Sequence, residues 1–232
     1  EDGLILTAAH VFHAKDAEVT VVFADGSSVQ GVGLGLNEIH DAGMVQILEP
    51  GPYPFVELHR DDEIKPGDWC LAVGHTGGVH QGRTAPVRLG RLLTVNDGSP
   101  LQGLGLVTDA TVNHGDSGGP LFNLDGELIG ITSSIGTDLL QNRHVPINTY
   151  IDNWDSLLAG ETVTQATHQA NVAKLQRMIR ERAARGDKEA VEMMQGGSVT
   201  MSPPQIAELI ERWETEDIAN GFAVEDDPSR LN

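Results

Sequence analysis

The sequence predicts a mainly β protein followed by a helical C-terminal extension. Three observations carry this prediction. Short apolar segments recur along residues 1–159, punctuated by Gly, Pro and Asp-Gly turns. Glycine is abundant, at 27 of 232 residues, while aromatics make up only 4%, so the core must rest on Val, Ile, Leu and Ala. From residue 160 onward the punctuation thins and the composition shifts to Ala, Gln, Arg, Glu and Met, which favour helices. The expected organisation is a β domain over 1–159 and a helical extension with an acidic tail over 160–232.

The elements follow in order. Ile5-Leu6-Thr7-Ala8-Ala9-His10-Val11 runs from apolar to small residues and reads as a buried strand that delivers His10 to a crowded site. Val19–Phe23 and Ser28–Val32 flank Asp25-Gly26, which predicts a hairpin. Further strands are expected at 44–48, 69–73, 86–95, 104–110, 120–123 and 128–134. Many short strands joined by Gly and Pro turns point to barrels or sandwiches. Trp154–Leu158 reads as a short helix stopped by Gly160. Between Thr162 and Met194, Ala166, Ala170, Ala173, Ile179 and Ala183 recur at roughly helical spacing, and Gly186-Asp187 divides the stretch into two helices. Ser202 before Pro203-Pro204 is an N-cap signal, and Ile206, Leu209, Ile210 and Trp213 form an apolar helix face that ends at Asn220-Gly221. Glu225–Pro228 reads as a mobile acidic tail.

Charge and cysteine usage narrow the function. The formal net charge of −19 argues against nucleic-acid binding and favours solubility. Cys70 is the only cysteine, so no internal disulfide forms, and its apolar surroundings make it a small buried hydrophobe. No apolar run approaches the ~20 residues of a membrane span. His10 with His13, and His75 with His80, are spaced in ways a metal tolerates, but no carboxylate or cysteine pattern completes either pair, so no metal or other cofactor is expected.

The most informative stretch is Asn113-His114-Gly115-Asp116-Ser117-Gly118-Gly119-Pro120. Glycines around one serine let the backbone fold tightly about its hydroxyl and turn nearby N–H groups toward one point. A serine hydroxyl needs a base, which His10 offers, and the base needs an orienting acid, which Asp41 offers just before the strand at 44–48. The chain order His, Asp, Ser is that of chymotrypsin-type triads.

These blocks resemble those of trypsin-like serine proteases, most closely the HtrA/Deg branch. Thr7-Ala8-Ala9-His10, Asp41-Ala42-Gly43-Met44-Val45 and Gly115-Asp116-Ser117-Gly118-Gly119-Pro120 are similar to the catalytic blocks of that family. Gly67-Asp68-Trp69-Cys70-Leu71-Ala72-Val73-Gly74, Thr108-Asp109-Ala110 and Gly126-Glu127-Leu128-Ile129-Gly130-Ile131 resemble three further segments of the branch. The likeness covers roughly residues 3–159. It implies two six-stranded β-barrels with the active site between them, the first barrel incomplete because further strands precede Glu1. It also implies a nucleophile at Ser117, a general base at His10, an orienting Asp41 and an oxyanion hole built from the N–H groups of Gly115 and Ser117. Thr111 is placed at the base of the specificity pocket. Ser133, Ser134 and Ile135 form the edge that pairs with substrate, Ile135 narrows the pocket, and Val145-Pro146-Ile147 resembles the final strand and lines its wall. A neutral Thr111 predicts small or medium aliphatic side chains before the cleaved bond rather than basic ones. Asp116 departs from the branch, which usually carries Asn there, and a buried Asp116 demands a donor close by.

The leading functional expectation is therefore a serine endopeptidase acting on polypeptides in HtrA/Deg-like protein quality control. A periplasmic or otherwise extracytoplasmic location and homo-oligomerisation are expectations of the same resemblance. Two alternatives stand beside it: a polypeptide-binding, chaperone-like module with little cleavage, and an esterase working at the same triad. The region after 160 shows no PDZ pattern, in contrast to many Deg-type proteases.

Overall fold

Antiparallel pairing of short apolar segments builds the first of two units, Glu1–Thr164 and Gln165–Asn232. The computed structural model describes residues 1–60, 64–78, 82–95, 105–136, 141–195, 201 and 203–222.

The first unit begins with strand β1 (Leu4–Ala8) and a single helical turn, α1 (Ala9–Phe12). Strands β2 (Glu18–Val22), β3 (Ser28–Asn37) and β4 (Ala42–Ile47) complete an antiparallel array in the order β1–β4–β3, with β2 also on β3. A fifth strand, β11 (Thr162–Val163), returns much later and joins β3 in parallel beside Leu36 and Asn37. Among the described residues this sheet is open rather than closed.

The second array is closed. Strands β5 (Trp69–Val73), β6 (Val87–Val95), β7 (Leu106–Thr108), β8 (Pro120–Phe122), β9 (Leu128–Ser134) and β10 (Asn142–Pro146) form a six-stranded antiparallel barrel in the order β10–β7–β6–β5–β8–β9. Inward residues alternate with outward ones, as pleating requires. On β6, Gly90 and Leu92 are buried between exposed Leu89, Arg91 and Leu93. The barrel is filled by Cys70, Ala72, Leu92, Leu106, Ala110, Val112, Leu121 and Ile129. A second cluster fuses sheet to barrel: Ala42 and Met44 of β4 pack with Ile131 and Val145 of the barrel and with Ile147, Tyr150 and Leu157. These last three lie on α2 (Ile147–Asp152) and α3 (Trp154–Leu158). The Tyr150 hydroxyl, fully buried, donates to the Thr7 carbonyl at 2.7 Å and pins β1 against this seam.

The second unit holds α4 (Gln165–Ala184), α5 (Lys188–Gln195) and α6 (Pro203–Ala219) around its own core of Leu175, Met178, Ile179, Ala190, Ile206, Leu209, Ile210 and Trp213. Arg182 is buried in it, with its guanidinium 4.7 Å over the Trp213 ring and ion-paired to Asp187, Glu216 and Asp217 at 2.6–2.9 Å.

Some boundaries differ from those read in the sequence. The first strand ends at Ala8, and His10 stands exposed on a helical turn rather than on a buried strand. Ile147 begins α2 instead of ending the last strand. Thr162 and Val163 form β11 where the composition predicts the start of a helical stretch, because parallel pairing to a distant edge leaves no periodic trace in two residues. On α4, Ala166, Ala170 and Ala173 are exposed and the buried face is Leu175, Met178, Ile179 and Arg182, since larger side chains bury more apolar area. The apolar face of α6 is the expected one. His80, Ser202 and Glu225–Pro228 lie outside the described residues.

Candidate active site

Strand register brings the first two candidate residues together. Leu4 to Ala8 pair with Gln46 to Ala42, so His10 and Asp41 lie just past the same end of the β1–β4 ladder. The Ala9 amide extends the ladder by donating to the Asp41 carbonyl at 3.1 Å. Asp41 itself turns sharply, with φ +57, and its carboxylate faces back toward α1. The turn is anchored by Phe12, whose ring is buried with Ala9, Leu36 and Val45 over Gly33 of β3 and Gly43 of β4. Only glycine leaves room there: a Cβ at Gly33 would stand 2.5 Å from the ring.

The Asp41 carboxylate gathers three donors. Its Oδ2 accepts from His10 Nδ1 at 2.8 Å and from Ser133 Oγ at 2.7 Å, and its Oδ1 accepts from the His10 amide at 3.0 Å. The carboxylate fixes the tautomer: with the proton on Nδ1, the His10 Nε2 carries the lone pair. The imidazole side chain is 47% exposed, which leaves Nε2 open to an incoming group.

Ser117 lies on the loop between β7 and β8. Its hydroxyl donates to the Ser133 carbonyl at 3.3 Å, and among the described residues it makes no hydrogen bond to His10. Ser133 therefore joins the candidate nucleophile through its carbonyl and the candidate acid through its hydroxyl. Next to the serine, a Cβ on Gly118 would collide with the Thr7 hydroxyl, so the loop packs directly on the segment that leads to His10.

The loop conformation is held from within. Asp116 N–H donates to the Asn113 carbonyl at 3.0 Å, and the Asn113 amide donates to Asp116 Oδ2 at 2.8 Å. Gly115 sits at φ +94, and any Cβ there would meet the His75 carbonyl at 2.7 Å. Among the described residues, nothing accepts from the amides of Gly115 and Ser117. Asp116 is 1% exposed, and the donors expected near it are present. Arg88 places Nη1 3.2 Å from Oδ2, off the line of a hydrogen bond, and Nη2 3.4 Å from Oδ1. Thr76 Oγ donates to the same carboxylate at 2.9 Å.

The candidate specificity residues are less gathered. Thr111 is exposed, next to buried Val112 of the barrel core. Ser133 is buried, Ser134 pairs with Arg143 of β10, and Ile135 packs against the barrel core. A cavity of about 560 Å³ lies elsewhere, between β1, residues 53–58 and Trp154, and of the serine loop it touches only Gly118. Sequence reasoning missed three contributions: the Ser133 hydroxyl, Thr76 and Arg88. A signal for Arg88 existed, because it shares the inward parity of Gly90 and Leu92 on β6.

A closed antiparallel barrel beside a second β-sheet, with a His–Asp pair on the sheet and a glycine-flanked serine on the barrel, is the architecture of chymotrypsin-type hydrolases. The chain belongs to the trypsin-like peptidase family, whose domain model matches residues 1–131. Its relatives include HtrA/Deg proteases. A probable periplasmic serine endoprotease DegP-like of Pseudomonas fulva is 34% identical over 71% of this chain and 34% of its own length. The putative serine protease HhoB of Synechocystis is 36% identical over 59% and 33%, and serine protease HTRA1 of Xenopus laevis is 36% identical over 57% and 29%. The chain thus spans about a third of the length of these relatives. A serine endoprotease from Yersinia pestis shares the fold, with a TM-score of 0.58 and 24% identity over 68% of this chain and 54% of that one.

Proposed function

We propose that the chain is a serine endopeptidase of the HtrA/Deg type that cleaves polypeptides through an acyl-enzyme. The observation that carries this reading is the Asp41 carboxylate holding His10 Nδ1 at 2.8 Å and, through Ser133, reaching the loop of Ser117. In the proposed reaction the Ser117 hydroxyl rotates from the Ser133 carbonyl toward His10 Nε2, gives up its proton there and attacks the scissile carbonyl. Asp41 stabilises the imidazolium, and the amides of Gly115 and Ser117 receive the negative charge on the carbonyl oxygen. His10 then returns the proton to the leaving amine, and water repeats the sequence on the ester.

The segment Ser133, Ser134 and Ile135 would pair with the substrate backbone, and neutral Thr111 favours small or medium aliphatic side chains before the cleaved bond. Among the described residues no helix is long and apolar enough to cross a membrane. The reading includes an extracytoplasmic location, supported by the naming of the Pseudomonas relative as periplasmic. Assembly into homo-oligomers completes the reading.

One observation favours a second reading. The Ser117 hydroxyl rests on the Ser133 carbonyl rather than on His10, as expected of a module that holds polypeptide without cutting it. A fluorophosphonate probe separates the two. The endopeptidase reading expects stoichiometric labelling of Ser117 that is lost in His10→Ala, with cleavage of an unfolded protein substrate. Binding of that substrate without labelling or cleavage would establish the binding module instead.

A further inference from the structure

We propose that Arg88 and Thr76 are positioning residues that hold the serine loop in its working shape by fixing the buried carboxylate of Asp116; this rests on the endopeptidase reading. A carboxylate at 1% exposure needs compensation for its lost water. The compensation comes from two places. Arg88 projects inward from β6, opposite Ala72 of β5, and brings its guanidinium to Asp116 and to the Thr76 hydroxyl. Thr76 stands on the turn after β5 and donates to the same carboxylate.

The carboxylate in turn closes the Asn113–Asp116 turn by accepting the Asn113 amide at 2.8 Å. That turn contains Gly115 and leads into Ser117, so the direction of both candidate oxyanion donors depends on where Asp116 is held. The neighbouring turn is tied in as well. Arg83 donates to the carbonyls of Thr76 and Gly78 at 2.7 and 2.8 Å, and the Gly77 amide donates to the His114 carbonyl at 2.7 Å. The countercharge for Asp116 is thus a side chain built into the barrel wall.

The test compares the chain with Arg88→Met, Arg88→Lys, Thr76→Val and the double change Arg88→Met with Asp116→Asn. Steady-state cleavage of a peptide ester and fluorophosphonate labelling are measured, with thermal unfolding to report the folded fraction. Removal of a single oxyanion donor costs about 10²–10³-fold in kcat. Arg88→Met is expected to lower kcat at least about tenfold, as misdirected donors would, with KM changed less than about threefold. Arg88→Lys should recover part of that loss, and so should the double change, because it removes the uncompensated charge. If Arg88→Met proves unfolded, Thr76→Val decides: a kcat loss at steady KM supports the proposal. A wild-type kcat in Arg88→Met, or in Thr76→Val where that decides, or a loss that vanishes once corrected for the folded fraction, overturns it. Failure of the unaltered chain to label or cleave would instead overturn the endopeptidase reading.

Discussion

Gly33→Ala tests whether the position of His10 is set by packing beneath α1. The methyl would stand 2.5 and 2.7 Å from the two nearest atoms of the Phe12 ring and 2.8 Å from the Ala14 carbonyl. Ordinary contact begins near 3.4 Å, so the ring and the segment after it must retreat by about 1 Å. The ring cannot slide sideways, because its other edge lies over Gly43, where a Cβ would collide with it as well. The displacement therefore passes to α1 and its imidazole. Overpacking of this kind costs about 1–3 kcal/mol of stability, and a 1 Å misplacement of a catalytic group costs about 10²-fold in rate. Urea unfolding and ester hydrolysis measure the two quantities separately. Adding Phe12→Leu to Gly33→Ala, which trims the colliding ring, should restore part of the rate. A Gly33→Ala protein with unaltered kcat and unaltered unfolding midpoint would refute the claim that this slot positions His10.

The other predictions concern the acid, a buried imidazole and the lone thiol. Asp41→Asn should preserve the fold but lower kcat about 10⁴-fold, through loss of the tautomer that leaves Nε2 free; stopped-flow acylation with an activated ester reads this directly. His144 is wholly buried between the hydroxyls of Thr108 and Thr132, at 2.9 and 3.2 Å, and burial pushes its pKa down to about 3. Its unfolded value is about 6.5, so its contribution is complete above that pH. Below it the unfolded chain binds a proton the native state refuses, and stability falls by up to about 1.4 kcal/mol per pH unit, which integrates to roughly 2 kcal/mol between pH 6.5 and 4.5. Urea unfolding of His144→Gln across that range should show a shallower decline, and an unchanged slope would contradict the assignment. Burial raises the Cys70 thiol to about 12, so Ellman's reagent should find no reactive thiol at pH 8 until denaturant is added.

Much of the first unit was legible because its signals are local. The hairpin around Asp25-Gly26 and the strands at Trp69–Val73 and Leu128–Ser134 follow from periodicity and turn residues close in sequence, as does the apolar face of α6 in the second unit. The three candidate catalytic residues were legible for a different reason: each sits in a short block whose chemistry is demanding. What stayed hidden depends on pairing between distant segments. Nothing near Thr162 announces that it will add to β3, and nothing near Arg88 states that β5 and β6 register it beneath Asp116. The need for a donor at Asp116 could be read from burial chemistry, but its identity required the register. Ser133 shows the same limit, since its place on a substrate edge was inferred while the bond from its hydroxyl to Asp41 crosses from barrel to sheet.

The late strand β11 also dictates how this protein should be cut. β3 is long, and its outer edge is shared end to end: β2 covers Ser28–Val32 and β11 covers Leu36 and Asn37, with Leu36 N–H donating to the Glu161 carbonyl and Glu38 N–H to the Val163 carbonyl at 2.9 and 2.8 Å. A truncation after Ala159 would strip that cover and bare a row of backbone donors and acceptors, an invitation to stick edge to edge with another molecule. A truncation after Thr164 keeps the edge sealed, so the shorter protein should precipitate where one only five residues longer stays in solution.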